Sequence, residues 1–293
     1  MGLKSNPLVR IITDDKTVTG KLLNICGAQI MRTTAARAIY NLRPVAIPKT
    51  IVEMVDELRR EGVVVLPDFL PRHHLELIRQ EALDLLEQNR EKANVYKHGP
   101  NTVHHLSVPT HFEKTKAPAI FQFLDDSRIR GILQVAEKRS LGRLDGKIEH
   151  VHQGIGAEQD PETELHSDIF FHTHKAWLYL NDVEEEHGPL VYVKRSHHLR
   201  PSQLYYAYKE SCTRNGRSRR ISRAELKRLG LEETIMSCPA NTLVVANVCG
   251  YHRRLRGKPG RNRYALQVSL RFNPFTLWLS KPPDFRIADG VLK

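Results

Sequence analysis

From Lys147 to Phe272 the chain breaks into short apolar or alternating runs: Ile148–Gln153, Trp177–Leu180, Leu190–Val193, Thr242–Ala246 and Arg263–Phe272. Gly, Pro, Asn and Asp separate them, so each reads as a strand and the set as a sheet structure rather than a bundle. Ahead of them the texture is helical. Ile51, Val52, Val55 and Leu58 form one apolar face, Thr50 and Glu53 have capping-box spacing and Gly62 supplies a stop, which predicts a helix over Thr50–Glu61. Val63–Leu66 is a β-branched run suited to a buried strand, and Pro71 opens a second helix with Leu75, Ile78, Ala82, Leu85 and Leu86 inward. A third helical stretch is predicted from Ile120 to Ala136. Helices followed by many short strands predict a mainly β fold with flanking helices, a sandwich or jelly roll.

The first 45 or so residues differ from the rest. Between Asp15 and Glu53 there is no acidic residue, while Lys16, Lys21, Arg32, Arg37, Arg43 and Lys49 punctuate an apolar pattern. Leu22, Ile25, Cys26 and Ile30 follow helical spacing, which predicts a basic amphipathic helix with these residues on its packing face. Such a helix either lies on an anionic bilayer through residues 19–43 or packs on its own domain or a neighbouring subunit of a homo-oligomer. Residues 46–293 are expected to form one domain carrying a non-strand insertion at about 199–236, rich in Tyr and Arg. A Ser222/Glu225 capping box starts a short helix there, and its place between strands makes the insertion a lid candidate.

No apolar run is long enough for a transmembrane helix, the N-terminus has no signal-peptide pattern, and the four cysteines have no C-x-x-C spacing. A cytoplasmic location is expected, peripheral to the inner face of the cytoplasmic membrane if the N-terminal helix docks there. The formal net charge of +12 gives solubility and also favours anionic partners.

Within this frame His166-Ser167-Asp168 and His252 stand out. In an extended segment His166 and Asp168 project to the same side. Two imidazoles and a carboxylate hold Fe(II) on one face of its coordination sphere, leaving positions open for a co-substrate and O2. Arg263 opens a strand whose odd positions, Arg263, Ala265, Gln267, Ser269 and Arg271, form an unusually polar face, and its planar fork suits a carboxylate. Tyr264, Leu266, Val268, Leu270 and Phe272 are expected to cover the apolar side. The pairs His150/His152 and His172/His174 have the same spacing as His166/Asp168 and are read as hydrogen-bonded lining residues.

His166-Ser167-Asp168, Ala176-Trp177-Leu178, Gly188-Pro189-Leu190-Val191 with Ser196-His197, and Leu243 to His252 followed by Arg263 resemble successive landmarks of the phytanoyl-CoA dioxygenase family. Gly62-Val63-Val64-Val65-Leu66-Pro67-Asp68-Phe69-Leu70 resembles that family's first strand. The resemblance implies a double-stranded β-helix of jelly-roll, cupin-like type. It implies Fe(II) bound by His166, Asp168 and His252, and 2-oxoglutarate held at its outer carboxylate by Arg263, with Trp177 and Gln153 beside it and O2 as the other co-substrate. The outcome is hydroxylation, with halogenation disfavoured because Asp168 retains the carboxylate. Two departures stand out: Arg254 sits where a small hydroxyl residue is expected, and Lys194-Arg195 replaces the usual Pro-Gly before Ser196-His197.

Arginines cluster on both sides of this site. Arg214, Arg217, Arg219, Arg220, Arg223, Lys227 and Arg228 lie in the insertion, and Arg253, Arg254, Arg256, Lys258 and Arg261 follow His252. Among them Arg219, Arg220, Arg253, Arg254 and Arg256 are the candidate substrate residues, for carboxylates or phosphates. The preferred substrate is a lipid-linked acidic glycan, by similarity to hydroxylases of the 3-deoxy-octulosonic acid residue of lipopolysaccharide. Alternatives are an acyl-CoA or small anionic metabolite, a nucleic-acid demethylase substrate, disfavoured because no aromatic base-stacking motif is evident, and a non-catalytic anion-binding adaptor.

Overall fold

The computed structural model describes residues 16–156, 158–213, 217–287 and 290–291. Two antiparallel sheets face each other. The larger has seven strands: β1 (Val63–Leu66), β2 (Asn94–His98), β3 (Asn101–Ser107), β4 (Gly146–His152), β6 (His174–Tyr179), β10 (Leu243–Asn247) and β12 (Asn262–Ser269), in the spatial order β1-β10-β6-β12-β4-β3-β2. The smaller consists of β5 (His166–Ser167), β7 (Leu190–Val193), β8 (Arg219–Arg220), β9 (Glu233–Ile235) and β11 (His252–Arg254), in the order β8-β5-β11-β7-β9.

Strand alternation sorts the large sheet's two faces. Ile148, Ala176, Leu178, Leu243, Val245, Leu266 and Val268 point outward into a core shared with the helices. Those helices are α3 (Val52–Glu61), α4 (Arg72–Gln88), α6 (Pro118–Asp125) and α7 (Ser127–Glu137); the four-residue α5 (Val108–His111) lies between α4 and α6 in the chain and packs against β4. The opposite face sends Trp177, Tyr179, Val244, Ala246 and Ala265 between the sheets, against Leu190 and Tyr192 of β7. Polar Arg263 and Gln267 share that inner face with Glu149 of β4 and Lys175 of β6, so the sandwich is apolar at one end and charged at the other.

Several local expectations change. The Thr50/Glu53 capping box does not form: residues Lys49–Ile51 make a 3-10 turn and α3 begins at Val52 without a side-chain cap. The stretch from Ile120 to Ala136 is two helices, broken at Asp126, whose carboxylate accepts from the Arg128 N–H at 2.8 Å. Gly62 does end α3, in the left-handed region at φ 83. A Cβ there would lie 2.4 Å from His197 Nδ1 and 2.5 Å from the Tyr192 hydroxyl. Gly62→Ala is therefore expected to destabilise the protein by about 2–5 kcal/mol, strain and overpacking combined, read as a lower urea midpoint with unchanged slope.

The N-terminal segment inverts its predicted amphipathicity. It forms α1 (Lys21–Ile25) and α2 (Ala28–Leu42), broken at Gly27 with φ 86. Leu22, Ile25, Met31 and Leu42 are exposed, whereas Gln29, Arg32, Thr33, Ala36 and Arg37 are buried. The spacing of the buried set is that of a packing face, but apart from Ala36 its members are polar and make their contacts within the fold. Arg32 stacks on Phe170 at 3.9 Å, and Arg37 donates to the His197 carbonyl at 2.8 Å. The segment thus packs on its own domain through its arginines rather than through Leu22, Ile25 and Cys26.

The insertion is not free of strands. After α8 (Pro201–Thr213) it contributes β8, paired with β5, then α9 (Arg223–Arg228) with Ser222 capping as predicted, then β9, paired with β7. It therefore extends the small sheet at both edges and covers a satellite core of Leu165, Val193, Ile221, Leu226, Leu231 and Tyr251.

Candidate metal centre

Strands β5 and β11 are adjacent and antiparallel, with His166 directly opposite His252. The two rings lie 4.6 Å apart, centroid to centroid. Asp168, just past the end of β5, is fixed by its backbone N–H donating to the Val248 carbonyl at 3.1 Å. Its Oδ1 lies 3.4 Å from His166 Nε2 and 3.6 Å from His252 Nε2. One ligand atom from each of the three falls within 4.8 Å of the others. Among the described residues the only other group of this kind is Glu184, Glu186 and His187, none of it buried.

The donor set is prepared for a cation. His166 Nδ1 meets the Glu164 carbonyl at 2.8 Å and His252 Nδ1 meets the Gly250 carbonyl at 3.0 Å. Carbonyls accept only, so both Nδ1 atoms carry the proton and both Nε2 lone pairs face Asp168 Oδ1. Burial alone would push the Asp168 carboxyl up, but the Lys175 ammonium beside it holds it well below the usual carboxylate range. Lys175 Nζ lies 2.6 Å from Oδ2, which keeps that oxygen turned away and leaves Oδ1 as the presented atom. The residues present therefore fit a divalent metal bound by two imidazoles and one carboxylate.

A cavity of about 150 Å³ opens beside these atoms. Trp177 and Arg263 line it, as do Arg253 and Arg254. Arg263 is 6% exposed; it donates through Nη1 to the Gly188 carbonyl and through Nη2 to Glu149 Oε1 at 3.0 Å, while its buried Nε has no partner. An orphaned guanidinium N–H beside a metal-ready triad fits a dicarboxylate co-substrate.

Glu149 is the functional residue that the sequence did not reveal. It sits opposite Ala265, between the inward-facing Arg263 and Gln267, and accepts from Gln267 Nε2 at 2.8 Å. His105 Nε2 of β3 lies 3.2 Å from the same oxygen. Burial would raise its pKa, but Arg263 and His105 reverse this and keep it ionised far below the usual range. The signal was the one acid of β4, on the strand parity of Lys147 and Val151. Lys175 offered the same clue on β6.

Other candidates fall elsewhere. Gln153 does not line the cavity: its side chain donates to the His187 carbonyl at 3.2 Å and packs beneath Gly188 and Gly257. Arg219 points away from it, donating to Ser167 Oγ and the Cys249 carbonyl. Arg256 is exposed and, among the described residues, donates to the Gly156 carbonyl. Arg220 lines a neighbouring open cleft of about 480 Å³ with Arg223 and Arg253, and Arg253 borders both spaces. Arg254 pairs with Asp160 at 3.2 Å and Arg253 with Glu233 at 2.6 Å, so these arginines are not free charges. Arg214 lies outside the described residues. His150 and His152 both meet Asn262 Oδ1, and His174 pairs with Glu137, as lining residues do.

A jelly roll with two imidazoles and one carboxylate at the charged mouth of its sheets has the make-up of a mononuclear non-haem metal oxygenase. The chain matches the phytanoyl-CoA dioxygenase family over residues 58–232, more than half its length. It belongs to that family, and so to the iron- and 2-oxoglutarate-dependent oxygenases. Its fold is similar to that of the non-haem α-ketoglutarate-dependent epimerase SnoN from nogalamycin biosynthesis, at TM-score 0.53 and 14% identity over 76% of this chain and 82% of that one. The carbocyclase SnoK from the same biosynthesis gives TM-score 0.52 and 19% identity over 85% and 98%. No curated protein sequence matches the chain.

Proposed function

We propose that His166 Nε2, Asp168 Oδ1 and His252 Nε2 hold Fe(II), that Arg263 and Trp177 hold 2-oxoglutarate, and that the enzyme hydroxylates an acidic sugar residue. When bound, iron and 2-oxoglutarate supply the oxidising power: O2 is consumed, 2-oxoglutarate leaves as succinate and CO2, and one oxygen atom enters the substrate C–H bond. The chain's own part is placement. Lys175 fixes which oxygen of Asp168 faces the ion, Glu149 and the Gly188 carbonyl aim the Arg263 fork, and Trp177, Tyr179 and Leu190 wall the cavity.

The observation that carries the substrate class is the adjoining cleft. Arg220, Arg223 and Arg253 stand there against two carboxylates, Glu164 and Glu233, which leaves an excess of one positive charge. The rest of its lining includes Gln159, Thr163, Tyr206 and Ser222, which offer hydroxyl and amide groups to a sugar, and only Leu165 and Ile221 to an acyl chain. The exposed Leu22, Ile25, Met31 and Leu42 of α1 and α2 are the side chains that would meet a bilayer presenting a lipid-linked substrate.

The test incubates the protein with Fe(II), 2-oxoglutarate and O2 plus lipid-linked or free sugar acids, acyl-CoA thioesters or methylated oligonucleotides. Succinate and oxygen incorporation are measured. Coupled turnover is expected with the sugar acids, with a raised KM in Arg223→Ala. Coupling to acyl-CoA or oligonucleotide alone contradicts the substrate reading while leaving the metal site standing.

A further inference from the structure

On the far side of the sheet from the metal, beneath α2, cations are buried without counter-charge. Arg37, Arg43, Lys138 and Arg139 are 6%, 7%, 8% and 8% exposed. None forms an ion pair with a carboxylate among the described residues. Arg37 contacts His172, the His197 carbonyl and Cys249 Sγ. Arg43 donates to Leu277 and Ser280 carbonyls, Lys138 to those of Tyr40 and Arg43, and Arg139 stacks on Phe272 at 4.4 Å. The one buried carboxylate nearby, Glu137, is taken by His174 at 2.8 Å. The Nε atoms of Arg37 and Arg139 are buried without any hydrogen-bond partner.

Four buried cations around one engaged carboxylate are costly unless an anion joins them. There is room for one. A cavity of about 190 Å³ is bordered by Tyr40, Arg59, Lys138, His172, His197 and His198, and a narrower space that includes Arg139 shares its Tyr40 and His172 walls. Burial, with Arg59 and Arg43 nearby, holds the Lys138 ammonium down to about 8, as expected of a buried cation with no carboxylate beside it. Lys138 spends two of its three N–H groups on carbonyls, and the Arg59 guanidinium has no acidic partner among the described residues.

We propose that this cavity is a second binding site, separate from the metal centre, for a small doubly charged oxyanion of phosphate or phosphate-monoester type. Lys138 and Arg59 grip it at the mouth, and Arg37, Arg43 and Arg139 supply the positive field behind. Its wall includes Asn247, the last residue of β10, so the ligand would sit behind the segment that leads to His252.

The test is calorimetric titration of the full chain with inorganic phosphate and, separately, glycerol 3-phosphate, at low salt with saturating 2-oxoglutarate. One-to-one binding of either is expected, about tenfold or more weaker in Arg59→Gln and unchanged in Arg253→Gln, which alters the cleft near the metal. Lys138→Gln should weaken it likewise, but Lys138 also ties down two carbonyls, so the exposed Arg59 is the decisive position. Binding of both probes assigns the site to phosphate monoesters, and binding of phosphate alone restricts it to the free ion. No binding in wild type, or binding that Arg59→Gln spares and Arg253→Gln abolishes, overturns the proposal.

Discussion

Asp168→Ala is expected to lose bound metal on dialysis against a mild chelator and to lower turnover well beyond the ~100-fold typical of residues that only support a ligand. The carboxylate is the only anionic member of the triad, and its Oδ1 is the atom shared by both imidazole contacts. The substitution also strands Lys175, whose side chain is 27% exposed and whose ammonium lies 2.6 Å from Oδ2. Stability should fall by about 3 kcal/mol, the lower end for breaking a buried pair because Lys175 retains some water. Asp168→Ala with Lys175→Met should recover most of that stability but none of the metal. Metal content and urea midpoints of the single and double variants check both halves. Full metal occupancy in Asp168→Ala would remove the carboxylate from the ligand set.

Arg263→Leu should cost more in stability than in shape. Glu149 and Arg263 are 6% and 7% exposed at their side chains, so removing the guanidinium leaves an ionised carboxylate in the sheet interior, at about 3–5 kcal/mol. The pH dependence follows from the direction of the Glu149 shift. Its folded pKa lies below the unfolded value of about 4.3, so the pair's contribution is complete above that pH and is lost as pH falls through the folded pKa. Without Arg263 the largest opposing charge to burial is gone, so the folded pKa rises from its depressed position. The penalty of Arg263→Leu should therefore be largest near neutrality and shrink as pH falls through that raised pKa. Glu149→Gln in the Arg263→Leu background should restore stability without restoring 2-oxoglutarate binding, followed by Trp177 fluorescence. A penalty independent of pH, or absent, would show that the pair does not govern the pocket.

These two positions also show what the sequence could and could not disclose. His166, Asp168, His252 and Arg263 were legible because strand parity and the landmarks between them fix their mutual placement. The polar inner and apolar outer faces of β12 were legible for the same reason. Strands β5, β8 and β11 were not, being two or three residues long and shorter than any periodic window, and β3, Asn-Thr-Val-His-His-Leu-Ser, lacks an apolar run. The inversion of α2 escaped detection because hydrophobic periodicity cannot register a guanidinium buried against carbonyls or an aromatic ring. For Arg253 and Arg254 the sequence showed charge density but not Glu233 and Asp160, which meet them only through tertiary folding. Gln153 was misplaced because it lies just past the end of β4, where its amide turns to the His187 carbonyl.

The most direct test of the central claim is anaerobic titration of Fe(II) and 2-oxoglutarate into the purified protein, following the visible metal-to-ligand charge-transfer band. The account predicts a band in wild type that is absent in His166→Ala and needs far more 2-oxoglutarate in Arg263→Leu. A folded, metal-loaded wild type with no band at saturating 2-oxoglutarate, or a band indifferent to His166, would contradict it.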